Sequence, residues 1–218
     1  MTLLEAIDAR HSVRRYQTRS IEPEKKAALL AEVDRCNRES GLHIQLITDE
    51  PEAFTGALAN YGHFTGVSNY IALVGKKSKT LGEQAGYYGE RIVLLAQQLG
   101  LNTCWVALTF SKRKCKAVVN KGEKLALVIS LGYGETQGHD RPTKQPEDVA
   151  DLTDAPDWFR AGVAAALKAP TAVNQQKFRF LRNGETVTVK ATGGFYSDVD
   201  LGIVKYHFEV ASGRKAEN

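Results

Sequence analysis

A mixed fold of helices and strands, α+β or α/β, is what this sequence of 218 residues predicts. Three observations carry that reading. Segments of helical period alternate with short apolar or alternating runs of strand length. Asn183-Gly184 stands between two such runs as a tight hairpin signal. No predicted strand runs into Gly-x-Gly-x-x-Gly with an acidic residue at ribose-reading distance beyond it, which argues against a dinucleotide-binding doubly wound fold.

The elements follow in order. A first helix is expected over Leu3–Ala9, opened by a Thr2/Glu5 capping box, with Leu3, Leu4 and Ile7 on one face. A second starts at Pro23, turns Leu29, Leu30, Val33 and Cys36 inward and stops at Gly41. Leu42–Thr48 reads as a strand, and 49–66 as a short helix followed by a loop rich in Gly and Tyr. Asn69–Gly75 has the apolar run of a buried strand. Thr80 and Glu83 form a second capping box opening the longest helix, to Leu99, which Gly100 ends. Asn102–Leu108 is a strand, Ser111–Asn120 a short basic helix, and Lys124–Leu131 another strand. The stretch 132–154 has no periodicity, and a loop of that length is usually functional or a surface excursion. A helix over Pro156–Lys168 leads through Ala169-Pro170-Thr171 into a strand at Lys177–Arg182. The hairpin returns along Thr186–Ala191, and Ser197 with Asp200 starts a last helix through Ile203 and Phe208.

Composition bounds the function classes. Hydrophobic residues are 43% and charged residues 25%, a globular balance that argues against disorder. No apolar run approaches the roughly 18 residues of a membrane span. The N-terminus has neither the basic start nor the apolar stretch of a secretory leader, and a cytoplasmic protein is expected. Three widely spaced cysteines argue against a disulfide framework and most zinc sites. The net charge of +4 permits an anionic ligand without demanding nucleic acid. Lys112, Arg113, Lys114 and Lys116 form a basic cluster, but it lacks the interleaved aromatics of a nucleic-acid surface.

Three segments carry candidate chemistry. In Arg10-His11-Ser12-Val13-Arg14-Arg15-Tyr16, residues 10, 12 and 14 alternate, so an extended backbone turns two guanidiniums and a hydroxyl to one side. Arg forks bind phosphate oxygens bidentately, which makes this a candidate phosphate grip. In Ala169-Pro170-Thr171-Ala172-Val173-Asn174-Gln175-Gln176, small residues let a flat ligand approach the backbone. Thr171, Asn174 and Gln176 offer groups that donate and accept, as a flavin edge requires. In Leu99-Gly100-Leu101-Asn102-Thr103-Cys104-Trp105-Val106, a helix turns tightly into a strand. With no His or acid near it in sequence, Cys104 reads as an inert buried thiol and Trp105 as core or pocket wall. His43 and His207 read as structural, while His11 and His139, flanked by basic residues, are candidate phosphate neighbours.

Together these segments resemble the nitroreductase family of FMN-dependent oxidoreductases. The family's Arg-x-Ser-x-Arg pattern is met by Arg10, Ser12 and Arg14. Its Ala-Pro-Ser-x-x-Asn-x-Gln pattern is met by Ala169, Pro170, Thr171 in place of Ser, Asn174 and Gln176. Its Gly-Leu-Gly-Thr-Cys-Trp turn is met by Gly100, Leu101, Thr103, Cys104 and Trp105, with Asn102 for the second Gly. The strand into Gly132-Tyr133-Gly134 and the basic stretch before Pro146-Glu147-Asp148-Val149 add to the likeness. The resemblance implies an α+β fold with a central, mostly antiparallel sheet flanked by helices. It also implies FMN as cofactor, with NAD(P)H as co-substrate giving hydride to the flavin. A small acceptor such as a nitroaromatic or quinone then takes two electrons, and neither nucleic acid nor membrane is a partner. The implied cofactor-binding residues are Arg10, His11, Ser12 and Arg14, then Thr109, then Arg141 and Lys144 toward the phosphate. Pro170, Thr171, Asn174 and Gln176 complete the set, with no catalytic side chain and no metal ligand. A non-catalytic FMN-binding protein for storage or sensing is the alternative.

One departure bears on assembly. In typical members the Ala-Pro-Ser motif lies early in the chain, whereas here it lies at residue 169, as in a variant branch with rearranged connectivity. Residues 23–48 and 156–182 echo each other as helix then strand. A single domain over 1–218 is expected, and the echo suggests two pseudo-repeat halves, about 1–110 and 111–218. Either a homodimer or a pseudo-dimeric monomer satisfies that pattern.

Overall fold

The structure, a computed structural model, describes residues 1–217. The elements in chain order are α1 (Leu3–Ala9), α2 (Pro23–Ser40), β1 (Gln45–Ile47), α3 (Ala57–Tyr61), β2 (Asn69–Lys76), α4 (Leu81–Gln98), β3 (Asn102–Val106), β4 (Glu123–Gly132), α5 (Pro146–Val149), α6 (Asp157–Leu167), β5 (Phe178–Asn183), β6 (Thr186–Ala191) and α7 (Ser197–Ser212). The fold is α+β with an antiparallel sheet and helices, as expected. The chain divides into two compact units: residues 9–81 with 92–139, and residues 1–8 with 82–91 and 140–218. They are called here the sheet unit and the hairpin unit.

The sheet unit is built on four antiparallel strands in the order β1-β2-β4-β3. β2 is buried at every position but its last, which is why its sequence is a nearly unbroken apolar run rather than an alternating one. Tyr70, Ala72 and Val74 from one face of β2 join Phe54, Phe64, Cys104, Val106 and Phe110 in one core cluster. Within it the Phe54 and Phe64 rings meet edge-on at 5.3 Å. α2 ends as its sequence predicts, with Gly41 at φ 71° donating its N–H to the Asn37 carbonyl. Its buried face is Leu29, Val33 and Cys36, while Leu30 is exposed.

Three expectations in this unit are corrected. β1 pairs only over Gln45–Ile47, although Leu42 and Ile44 on its approach are buried. β3 stops at Val106, and Leu108 is exposed. The basic helix expected over Ser111–Asn120 does not form. One turn closes with the Cys115 N–H on the Ser111 carbonyl (3.0 Å), and the chain then continues without regular structure to residue 120. The Lys116 N–H donates to the Tyr70 hydroxyl (2.9 Å) and the Val118 N–H to Gln45 Oε1 (2.8 Å). Side chains of the sheet thus satisfy donors that a helix would have satisfied within itself.

The hairpin unit packs α6 and α7 with the β5–β6 hairpin around Phe159, Phe178, Phe180 and Phe208, the last two stacked at 4.8 Å. Its turn is Gly184-Glu185 rather than Asn183-Gly184, because Asn183 still pairs with Thr186. Gly184 at φ 59° supplies the left-handed first position. The first half of α4 meets α7 backbone to backbone. A Cβ on Gly86 would lie 2.1 Å from the Val199 carbonyl oxygen, and one on Gly202 would lie 2.0 Å from the Glu83 carbonyl oxygen.

The remaining predicted caps divide. At α1 the box forms as read: the Thr2 N–H donates to Glu5 Oε2 (2.7 Å) and the Glu5 N–H to Thr2 Oγ1 (3.2 Å). Its buried residues, however, are Ala6 and Ile7, while Leu3 and Leu4 face solvent. Thr80 makes no side-chain cap bond, and Glu83 accepts from Lys205 Nζ at 2.6 Å. Asp200 does not cap α7 either, since its carboxylate is taken by the loop that follows α6. The short α5 was not read in the sequence. Its signal was the Gln145-x-x-Asp148 spacing, where Asp148 Oδ2 accepts the Gln145 N–H (3.0 Å).

Candidate functional site

The sheet unit fastens residues 10–16 in extended form. Ser12 bridges Thr103 of β3 in parallel, Arg15 bridges Thr65, and Tyr16 bridges Gly134. The Val13 N–H reaches the Thr103 carbonyl at 3.0 Å, and the Tyr16 N–H reaches the Thr65 carbonyl at 3.0 Å. Val13 and Tyr16 are the buried anchors, and the Tyr16 hydroxyl bonds both the Val13 carbonyl (2.7 Å) and Ser130 Oγ (2.8 Å). Cys104 of β3 is buried. Burial pushes this thiol up, while Arg14, the hydrogen-bonding Ser12 side chain and Arg10 pull the other way without overcoming it.

Arg10 is 5% exposed, whereas Ser12 and Arg14 are open to solvent. The Arg14 guanidinium lies over the Phe64 ring, 5.9 Å from its centroid. His11 is half-buried, and its Cβ lies 2.5 Å from where Gly138, at φ 85°, would carry one. His139 is exposed. Thr109 is half-buried, with its side chain 2.6 Å from where Gly62 would carry a Cβ. Asn102, which the sequence reading noted only as a departure from the family turn, braces this region. Its Oδ1 accepts the Gly134 N–H (2.9 Å), and its amide donates to Gln137 Oε1 (3.0 Å).

The hairpin unit holds the other candidate residues in one laced loop. Pro170 is buried, and the Thr171 hydroxyl accepts the Gln176 N–H at 3.0 Å. Val173, Asn174 and Gln176 all have left-handed backbones, at φ 46°, 56° and 45°. Non-glycine residues rarely adopt that form, and a β-branched valine pays most for it. Val173 is nevertheless 89% exposed, so packing of its own side chain does not hold it there.

Neighbouring chain supplies the restraint. Arg141 donates to Asn174 Oδ1, to the Leu167 carbonyl (3.1 Å) and to the Ala169 carbonyl (2.6 Å). Lys144 donates its Nζ to the Gln176 carbonyl (2.8 Å) and its N–H to Gln176 Oε1 (3.0 Å). The Asn174 and Gln176 amides both donate to the Pro142 carbonyl, at 2.8 and 3.0 Å. The polar side chains expected to meet a ligand edge thus shape the loop itself.

Residues 2–212 match the model of a protein family described as "Putative TM nitroreductase". The chain belongs to this nitroreductase family. No curated protein matches it. Among solved structures, a putative nitroreductase from Thermotoga maritima is similar over 97% of this chain and 83% of its own, with 22% identity and a TM-score of 0.72. A putative nitroreductase from Desulfovibrio desulfuricans, solved in complex with FMN, is similar over 68% of this chain and 95% of its own, at 20% identity and a TM-score of 0.54. A putative NADH dehydrogenase/NAD(P)H nitroreductase from Bacteroides thetaiotaomicron matches 67% of this chain at 19% identity and a TM-score of 0.52. At these identities the likeness is one of fold.

The nitroreductase fold explains why the Arg-x-Ser-x-Arg segment stands where it does. Its backbone donors and acceptors are engaged by β3 and by the Thr65 and Gly134 loops, with Ser12 and Arg14 exposed and Arg10 buried. Among the described residues there is no group of three metal-ligating side chains and no helix long and apolar enough to cross a membrane.

Proposed function

We propose that this protein is an FMN-dependent oxidoreductase that takes hydride from NAD(P)H and passes two electrons to a small acceptor such as a nitroaromatic or quinone. The observation that carries the proposal is the Arg10-x-Ser12-x-Arg14 segment, fastened along β3 with the Arg10 side chain buried. Family membership and the FMN complex of the Desulfovibrio relative support it.

FMN, when bound, supplies the hydride-accepting chemistry, and the chain's part is to bind and orient it. Arg10, already buried, meets the phosphate with little further loss of hydration. Ser12 donates its hydroxyl, and Arg14, steadied on Phe64, adds a second charge. His11 and Thr109 are the further candidates of the sheet unit. Pro170, Thr171, Asn174 and Gln176, braced by Arg141 and Lys144, are the candidates of the hairpin unit. None of these is asked to move a proton. The nearby Cys104 keeps its proton, because burial outweighs the positive charges around it.

Two measurements on the purified protein test this. Its visible spectrum, after incubation with FMN and removal of the excess, carries the bands of oxidised flavin. Those bands bleach on anaerobic addition of NADH or NADPH and return with a nitroaromatic or quinone. Absence of flavin bands would overturn the cofactor assignment. Bands that survive both nicotinamides would make the protein a flavin carrier instead of a turnover enzyme.

A further inference from the structure

The loop of residues 171–176 is held from one side by a carboxylate. Asp200, in the first turns of α7 and 7% exposed, accepts the Ala172 N–H at 2.9 Å and the Gln175 amide at 2.7 Å. The Gln175 amide also donates to the Phe195 carbonyl at 2.8 Å, which ties the loop to the chain entering α7. Between these two anchored residues stand the left-handed Val173 and Asn174, and the left-handed Gln176 follows them. A strained loop of this kind persists only where its surroundings over-determine it. Asp200 binds it at one main-chain and one side-chain donor.

We propose that Asp200 is a positioning residue that sets the left-handed form of the 171–176 loop, and that its hold depends on the protonation of its carboxyl group. The link to flavin binding rests on the reading of that loop as a cofactor contact. The charged group whose field reaches Asp200 is Arg141, which favours its ionised form. On α7 itself, Asp198 is turned toward Gly82 of α4, and the Glu83 carboxylate of α4 is held by Lys205. Burial outweighs these influences and the two accepted hydrogen bonds, raising Asp200 from 3.8 to about 6.

The sign follows from where the proton binds better. A released loop returns Asp200 to water, where it ionises near the usual value of about 4. The docked loop therefore binds the proton more tightly. Docking strengthens as pH falls from about 6 toward 4 and is weakest, and level, above about 7. Lowering the pH from 7 to 5 raises the docking constant about tenfold.

The test is hydrogen exchange of the 170–176 segment, corrected for intrinsic exchange, together with FMN affinity. In the wild-type chain, protection of this segment is about tenfold greater at pH 5 than at pH 7. Asp200→Asn keeps an acceptor for the Ala172 N–H and has no carboxyl group to titrate, so its protection is the same at both values. Asp200→Leu has no acceptor and loses at least tenfold protection at either pH, with FMN binding weakened by a similar factor. Wild-type protection that does not change with pH, or full protection in Asp200→Leu, would overturn the proposal. If the leucine variant does not fold, the wild-type and asparagine profiles still decide it. Exchange that behaves as expected with FMN affinity unchanged would keep Asp200 as the loop's clamp and remove the loop from the flavin site.

Discussion

Arg10 illustrates why a charged residue earns scrutiny when a fold buries it. Taking a guanidinium out of water is costly unless something answers its charge, and the surface positions 12 and 14 beside it show that the segment had exposed sites to spare. Arg10→Ala is expected to weaken FMN tenfold to hundredfold, about 1.5–3 kcal/mol for a lost bond to a dianion, while riboflavin binding changes little. Flavin fluorescence titration reads both, and an equal loss for the two ligands would mean that Arg10 acts through folding. Cys104→Ala, by contrast, is expected to keep the flavin bands and NAD(P)H oxidation at a stability cost of about 1 kcal/mol. Loss of turnover with flavin still bound would reopen thiol chemistry. His207 is the third informative residue. It and Glu90 are fully buried, its Nε2 lies 2.8 Å from Glu90 Oε1, and its Nδ1 lies 3.1 Å from the Ala165 carbonyl. His207→Leu takes a hydrogen-bond partner from a buried carboxyl group and is expected to cost about 3 kcal/mol in urea unfolding. The sequence reading of His207 as structural agrees with this placement, but its partner 117 residues away had no local signal.

Among the elements, α4 and α7 depend on two glycines that no pattern marked. Gly86 and Gly202 let the helices touch through backbone, with the obstructing atoms of any added Cβ being carbonyl oxygens that cannot rotate away. Gly86→Ala and Gly202→Ala are each expected to destabilise by about 1–3 kcal/mol or more, read as a lower urea midpoint. A neutral result at both would show that the helices part freely. Elements whose signals lie within one turn were legible. The Thr2/Glu5 box, Pro23 at the start of α2 and Gly41 and Gly100 at helix ends act over four residues or fewer. The basic segment 111–120 was misread because composition alone suggested a helix. Its backbone donors are satisfied instead by Tyr70 and Gln45, residues far earlier in the chain.

For the whole molecule, family membership and the proposed phosphate grip make ligand-linked stability the broadest check. A ligand that binds only the folded chain stabilises it by about 2.7 kcal/mol at a hundredfold excess over Kd. For a chain of 218 residues this corresponds to a rise of roughly 5–10 °C in Tm. FMN is expected to produce that rise and riboflavin, lacking the phosphate, a smaller one at the same concentration. Equal shifts would argue that the arginines do not read the phosphate.

The sequence by itself determined the α+β class, the order of nearly all elements and the three segments that mark the family. Those features are written in short-range code: periodicity, capping spacing, turn residues and alternation along one backbone. Tertiary structure alone decided that the Asn174 and Gln176 amides are turned onto the 141–144 segment, that Glu83 answers Lys205 rather than capping its own helix, and that Asp200 clamps a strained loop 24 or more residues before it. Each of these is a choice among partners for a polar group leaving water. Such a group takes whichever donor or acceptor the packed chain brings within about 3 Å. Which one that is depends on distances that no local spacing encodes.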